Sequence, residues 1–348
     1  MRRTRTLIGA AVVAALTTVV SACSSSGATE AGSHPKGKLA KTLRVAVQSD
    51  TEQIMLKLAG EDDFPYKVQW STFEGVPNMV SAFQAGAVDI GTGGQAPIIQ
   101  AQAGGHDLKI VAVHEDTGNS RQLIARGGGI HTVADLKGKK IATQVGTQTY
   151  AFIVAALREA GLTASDVHFV DLTLADSRTA LQAGSVDAAA MPTSDVLHFQ
   201  HAFDDVTVLR DQTGLDMTQS VVISTGKALA DPVRSATIGD FVSRWTNSIN
   251  WIAQHPQKWV QASYVQDQKL SDSVGKQVLL KLGPPSVVPI GPAQIEEQQK
   301  LADLLYQSGS IKQRVNASRE YDSRFNSVVA QANQASGGPV KAFPASFS

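Results

Sequence analysis

Cysteine is almost absent from this 348-residue chain: Cys23 is the only one. A lone cysteine excludes an intramolecular disulfide, and its place near the start leaves the body without a thiol for catalysis. Net charge is missing too. The chain carries 31 basic and 31 acidic side chains, so no basic surplus supports nucleic-acid binding. Catalytic signatures are lacking as well. No P-loop, nucleophile elbow or His-Glu-x-x-His pattern occurs, and the only close helical histidine pair, His198 and His201, has no obvious third ligand for zinc. Neither an enzyme nor a metal or cofactor site is expected.

What is present begins with a basic start, Arg2, Arg3 and Arg5, followed by an apolar run over residues 7–20 and the small residues Ser21 and Ala22. The run is too short to span a bilayer and reads as a secretory signal over residues 1–22. Val20-Ser21-Ala22-Cys23 resembles the lipobox of bacterial lipoproteins, with valine where leucine is more usual. That resemblance implies that Cys23 is lipidated on sulfur and becomes the new N-terminus. Without the three signal arginines, 28 basic side chains remain against 31 acidic ones, a net charge of −3. Residues 23–42, rich in Ser, Gly, Ala and Lys, have the composition of a flexible tether between anchor and folded body.

From residue 43 short apolar runs alternate with longer amphipathic ones. Residues 43–48, 67–72, 88–91 and 108–114 read as strands, with helices over 51–59, 78–85 and 96–103. This alternation predicts βαβ units and a mainly parallel sheet covered on both faces. A second series follows the glycines at 127–129. Thr132 to Asp135 has capping-box spacing, 140–143 is a strand, 148–160 a helix ending before Gly161, and the alternation continues to residue 209. Two α/β lobes result. The apolar strands 122–126 and 220–224 fit chain crossings between them, which gives 43–125 plus 221–348 as lobe one and 126–220 as lobe two. Beyond Gly226 the pattern is helical and is expected to pack on lobe one. An internal echo supports the two-lobe plan: residues 83–90 and 181–188 share Gln-Ala-Gly-x-Val-Asp at a helix-to-strand junction, with Gly86 and Gly184 ending their helices in the left-handed conformation.

Leu43-Arg44-Val45-Ala46-Val47-Gln48, Phe73-Glu74-Gly75, Ala87-Val88-Asp89-Ile90-Gly91 and the segment Val133 to Ala142 (V-A-D-L-K-G-K-K-I-A) resemble the periplasmic binding proteins of ABC importers for taurine and aliphatic sulfonates. The resemblance extends through Gly118-Asn119-Ser120, Thr147-Gln148-Thr149-Tyr150 and His255-Pro256, over nearly all of the mature chain. It implies a two-lobed type-two periplasmic-binding-protein fold, hinged at two crossing strands, with a helical C-terminal region. It also implies a monomer on the extracytoplasmic face of the membrane, held there by its lipid anchor, that delivers a small anionic organic ligand to a membrane permease. An aliphatic sulfonate leads among the ligands. Taurine, nitrate and a thiamine-pyrimidine precursor are the alternatives, as is a ligand-sensing lipoprotein.

Candidate contacts lie where strands end. Gln48 closes the first strand, where ligands of open α/β sheets bind, and Glu74 follows the second as a contact or a solvated loop acid. Gly91-Thr92-Gly93-Gly94-Gln95-Ala96 superficially matches a dinucleotide fingerprint without a convincing ribose partner. What survives is a glycine turn at Gly93 and Gly94, with Gln95, opening a helix whose amides attract an anion; a turn needed only for chain reversal competes. Thr147, Gln148 and Thr149 offer a second strand-to-helix turn, which in the resembling family contacts the anionic head; Thr147 as a helix cap is compatible with that. Asn119 starts the first crossing beside Arg121, read as a hinge-surface arginine, and Thr193 and Asp195 form the turn after the 186–190 strand. Gln219 stands near where taurine binders of the family place an acidic side chain, which favours a sulfonate without an amine unless Asp50, Glu74 or Asp195 supplies that charge.

Overall fold

The computed structural model describes residues 37–115, 120–215 and 219–347. The expected signal, Cys23, most of the tether and Asn119 lie outside them. In the first lobe β1 (Thr42–Val47), α1 (Thr51–Ala59), β2 (Lys67–Thr72), α2 (Val76–Gln84), β3 (Ile90–Gly94), α3 (Ala96–Ala103) and β4 (Leu108–Glu115) alternate as the apolar periodicity predicts. The second repeats the plan with β5 (Arg121–Arg126), β6 (Lys140–Thr143), α4 (Gln148–Glu159), β7 (His168–Asp171), α5 (Leu174–Gln182), β8 (Ala188–Pro192), α6 (Thr193–Ala202) and β9 (Val206–Asp211). The chain then returns through β10 (Gln219–Thr225) to α7 (Gly226–Ala230), α8 (Pro232–Gln254), α9 (Pro256–Trp259), α10 (Asp272–Leu282), β11 (Ser286–Val288), α11 (Pro292–Gln307) and α12 (Asn326–Ala335).

Both sheets are mixed rather than mainly parallel. The first runs β11-β4-β10-β3-β1-β2 and the second β7-β6-β8-β5-β9. The parallel pairs are those of β1 with β2 and β3, and of β6 with β7 and β8. Into each sheet the first strand after a crossing inserts antiparallel: β5 between β8 and β9, β10 between β3 and β4. The segments expected to be crossings are therefore full sheet members. Leu123, Ile124 and Ala125, and likewise Val222 and Ile223, are wholly buried, which an exposed connection could not achieve. The chain changes sheet between β4 and β5 and again between β9 and β10.

The internal echo has a common geometry. Gly86 and Gly184 adopt φ of 65° and 69°, the left-handed turn that only glycine enters without cost. Val88 and Val186 are buried behind them. The motif's aspartates then pin the neighbouring strand: Asp89 Oδ2 accepts from Arg44 N–H at 2.9 Å and Asp187 Oδ2 from Lys140 N–H at 2.8 Å. Each thus fixes where the central parallel pairing begins.

The Thr132–Asp135 capping box forms, on a single 3₁₀ turn over Val133–Leu136. The glycine segment differs from expectation. Gly91 to Gly94 are not a turn but the body of β3, in register with Ile223 to Ser220 of β10. A Cβ on Gly91 would meet Met79 Sδ at 2.8 Å and one on Gly93 would meet Val76 Cγ2 at 2.5 Å, so these glycines let α2 lie directly on the sheet.

The helical C-terminal region divides its packing. Along α8, Ile238, Phe241, Val242, Trp245, Ile249 and Ile252 recur at three- and four-residue spacing and are buried in the first-lobe core. Asp231 caps that helix by accepting from Val233 and Arg234 N–H, ahead of Pro232. α11 departs from expectation. Its Leu301, Leu304 and Leu305 share one core with Ala96 and Ile99 of α3 and with Tyr150 and Ile153 of α4, so α11 bridges the lobes instead of packing on the first alone.

Candidate ligand-binding cleft

Between the lobes lies a cavity of about 450 Å³ whose wall draws on both. The first lobe contributes Gln48 at the end of β1, Phe73 to Val76, Gly94, Pro97 and Ser220. The second contributes Arg121, Thr143, Gln144, Thr147 to Thr149, and Thr173 to Arg178 except Asp176. Of the expected contacts, Gln48, Glu74, Gly94, Thr147, Gln148 and Thr149 come together here. The others do not. Gly93 faces a neighbouring first-lobe cavity, Gln95 and Thr193 are buried away from the cleft, and Asp195 stands behind the wall. Gln219 is described only as the first residue of β10.

Hydroxyls dominate the second-lobe wall. Thr143 Oγ1 and Ser177 Oγ are buried and have no hydrogen-bond partner among the described residues. A buried hydroxyl left unpaired costs about 1–3 kcal/mol, so a native chain retains two of them on one cavity only if something that enters the cavity pairs them. Thr147 is different. Its hydroxyl donates to Gln144 O at 2.7 Å and accepts from Tyr150 N–H at 3.2 Å. It caps the helix while the residue lines the cavity. What α4 offers instead is its N-terminal turn, at the positive end of a helix of 12 residues.

Two arginines line the same cavity. Arg121, expected on the hinge surface, faces the cleft and donates to Gln212 Oε1 at 3.3 Å. Arg178 on α5 is held by Asp195 across 3.0 Å. Burial raises the Asp195 carboxyl above its usual range, and the charges of Arg178 and then His198 oppose that rise. Asp195 thus serves the site by positioning an arginine rather than by touching the cavity.

The α3 N-terminus does not provide the expected anion site. Ala96 N–H donates to Gln148 Oε1 at 2.9 Å, Pro97 has no N–H, and Ile98 N–H turns back to Gln95 O. From Gln148 a chain of buried amides runs inward: Gln148 Nε2 to Gln95 Oε1 at 3.4 Å, Gln95 Nε2 to Gln298 Oε1 at 2.8 Å, and Gln298 Nε2 to Glu320 Oε2 at 2.5 Å. Burial pushes the Glu320 carboxyl up to about 8, against the pull of its Gln298 hydrogen bond and of Lys109. Gln95 is therefore a link between lobes and not a wall residue.

The lobes meet closely at three glycines. A Cβ on Gly94 would stand 2.9 Å from Gln148 Cβ, one on Gly75 2.6 Å from Gln144 Oε1, and one on Gly146 2.8 Å from Gln100 Oε1. Each pair joins one lobe to the other, so the cleft is in a closed state. Among the described residues no group of His, Cys, Asp and Glu is placed to hold a metal ion, and no helix is long and apolar enough to cross a membrane.

Comparison with known proteins bears on this geometry. A family model described as NMT1/THI5 like matches residues 72–259. An Escherichia coli K12 protein named for binding aliphatic sulfonates is 39% identical over 161 residues, 45% of this chain and 50% of that protein. The matched stretch thus spans about half the length of that relative. A Bacillus subtilis 168 protein of the same name is 25% identical over 326 residues, 91% of this chain and 95% of its own. Among solved structures, the alkanesulfonate-binding protein SsuA of Xanthomonas axonopodis pv. citri bound to MOPS superposes with a TM-score of 0.75 at 25% identity, covering 82% of this chain and 99% of that one. The fold is thus that of the periplasmic binding proteins.

Proposed function

Because the chain belongs to the NMT1/THI5-like family, we propose that it is the extracytoplasmic solute-binding component of an ABC importer and captures an aliphatic sulfonate between its lobes. One observation carries the ligand class. Two orphaned hydroxyls, Thr143 and Ser177, share a cavity with Arg121 and Arg178. A sulfonate is ionised at every physiological pH, so it presents three acceptor oxygens and never a proton. Neutral donors plus a cation satisfy it, and charge-assisted bonds to such oxygens are the stronger kind. The names of the sulfonate-binding relatives agree with this reading, and MOPS is itself a sulfonate.

In the proposed mechanism the head group lands first on the second lobe, against Thr143, Ser177 and the N-terminal turn of α4. Gln48 and the backbone at Gly75 and Gly94 then cover it from the first lobe. The closed state gains contacts that the open state cannot make, so ligand shifts the population toward closure. A membrane permease reads the closed shape, and no chemistry is performed on the ligand. Cys23, lipidated, keeps the cleft at the outer face of the membrane; a Cys23→Ser chain recovered from the culture medium instead of the membrane fraction tests that part.

Titration calorimetry with methanesulfonate, propanesulfonate, taurine, nitrate, sulfate and aminopyrimidines tests the ligand class. Saturable binding of the alkanesulfonates is expected, with taurine weaker. Binding of nitrate or a pyrimidine in the absence of any sulfonate response overturns the reading and leaves the fold untouched.

A further inference from the structure

Behind Gln48 and Ser220, which border both spaces, lies a second cavity of about 340 Å³ that belongs to the first lobe. Its wall has a different chemistry from the cleft. Trp245 and Ile249 of α8, Trp259 of α9, Tyr264 and Leu279 make it aromatic and apolar. Set into this wall is one carboxylate, Glu52, in the first turn of α1. Thr92 Oγ1 donates to Glu52 Oε1 at 2.5 Å. His114 also lines the space, edge-on to Trp245 with ring centroids 6.2 Å apart.

We propose that this first-lobe cavity is a tail subsite, continuous with the sulfonate cleft, that receives an apolar tail ending in an ammonium group which Glu52 meets among the aromatic rings. The inference rests on the sulfonate reading and deepens it: the ligand is a zwitterionic organosulfonate with a tail longer than a bare alkyl stub. Three features converge. A carboxyl in an apolar cavity stays charged only if a cation enters with it, and is otherwise driven toward its neutral form. Burial does push the Glu52 carboxyl above its usual range, against the Thr92 hydrogen bond, and a bound ammonium reverses that shift. Trp and Tyr faces attract a desolvated cation as well. Gln48 and Ser220, shared by both cavities, place the head and the tail of one ligand on either side of a polar sill.

Calorimetry on the full chain with three probes separates this from the head-group reading. Propanesulfonate reports the cleft alone. A 3-(dialkylamino)propanesulfonate and its uncharged branched-alkyl isostere report the tail. The amine is expected to bind at least about tenfold more tightly than the isostere, with Glu52→Gln bringing the ratio to within about twofold. The same amine should quench tryptophan emission through Trp245 and Trp259 in the unsubstituted chain, whereas methanesulfonate should not. That readout stands even where Glu52→Gln does not fold. Equal binding of amine and isostere, with propanesulfonate still bound, overturns the tail subsite and spares the cleft; no response to propanesulfonate overturns the sulfonate reading itself and the tail subsite with it.

Discussion

Thr143→Val and Ser177→Ala should stabilise the empty protein while crippling it. Both side chains are buried, 1% and 2% exposed, and neither hydroxyl has a protein partner among the described residues. In the ligand-free chain each hydroxyl has no partner in the protein among the described residues and depends on water that enters the cavity. Replacing it by a methyl group or a hydrogen therefore relieves about 1 kcal/mol, and at this chain length that lifts Tm by roughly 1–2 °C. In the complex the balance reverses. Each substitution removes a donor from an anionic oxygen and leaves that oxygen buried, a loss of about 1.5–3 kcal/mol, or roughly ten- to a hundredfold in Kd. Opposite signs on stability and affinity mark a group kept for a ligand, because a structural hydroxyl moves both the same way. The assay is paired: urea unfolding without ligand, and calorimetry with propanesulfonate. Destabilisation by more than about 1 kcal/mol in both variants, or affinity within twofold of the parent, would refute the argument.

Three further outcomes follow from the interlobe seam. Gln148→Ala removes the acceptor of the Ala96 N–H and the link to Gln95; an unpaired buried amide penalises only the closed state, so sulfonate affinity should fall about tenfold and small-angle scattering of the empty chain should report a larger radius of gyration. Gly94→Leu drives a side chain against Gln148, whose Cβ is 2.9 Å from the position of a Cβ there; scattering should show no compaction on adding ligand. Glu320 makes stability pH-dependent. Burial holds its folded carboxyl near 8, against an ordinary 4.5, so the folded chain holds a proton that the unfolded chain releases. Stability is full below about pH 4.5 and declines as pH rises toward 8, by up to about 1.4 kcal/mol per pH unit. Glu320→Gln should flatten urea-unfolding profiles across that window, and an unchanged slope sinks the assignment.

How much of this was legible in the sequence depends on how far apart the partners lie. Strand–helix alternation, the Asp-bearing echo and the caps at Thr132, Thr147, Gly86 and Gly184 are local patterns, and all of them reappear in the structure. The wall of the cleft was half legible. Gln48 and Glu74 follow strand ends and Gln148 opens the helix after β6, where topology alone directs attention. Thr143, Ser177 and Arg178 belong to β6 and α5 and carry no motif; only the convergence of those elements on one space singles them out. The glycine run of β3 misled because glycine serves a tight turn and close packing equally, and the distinction lies in α2, which no spacing within the run reveals. Glu52 lies about 190 residues from Trp245, and Gln95 lies 203 from Gln298. Pairings that distant need the fold first.

The seam between the lobes has two unlike parts, and the difference explains why a ligand can govern it. At Gly75, Gly94 and Gly146 each glycine faces a glutamine of the other lobe. These approaches bury little apolar surface, so opening there costs little. Along α11 the contact is apolar: Leu301, Leu304 and Leu305 lie between α3 and α4. Exposing such side chains costs about 1.5–3 kcal/mol apiece. Separation is therefore cheapest at the glycine seam and dearest at α11, and the lobes should part at the cleft mouth while pivoting about the α3–α11–α4 stack. Gln148 lies on both parts, its side-chain oxygen accepting from the α3 terminus while the residue lines the cavity. A head group that engages the N-terminal turn of α4 thus acts on the residue that latches the seam, and a contact of a few kcal/mol suffices to decide which state is populated.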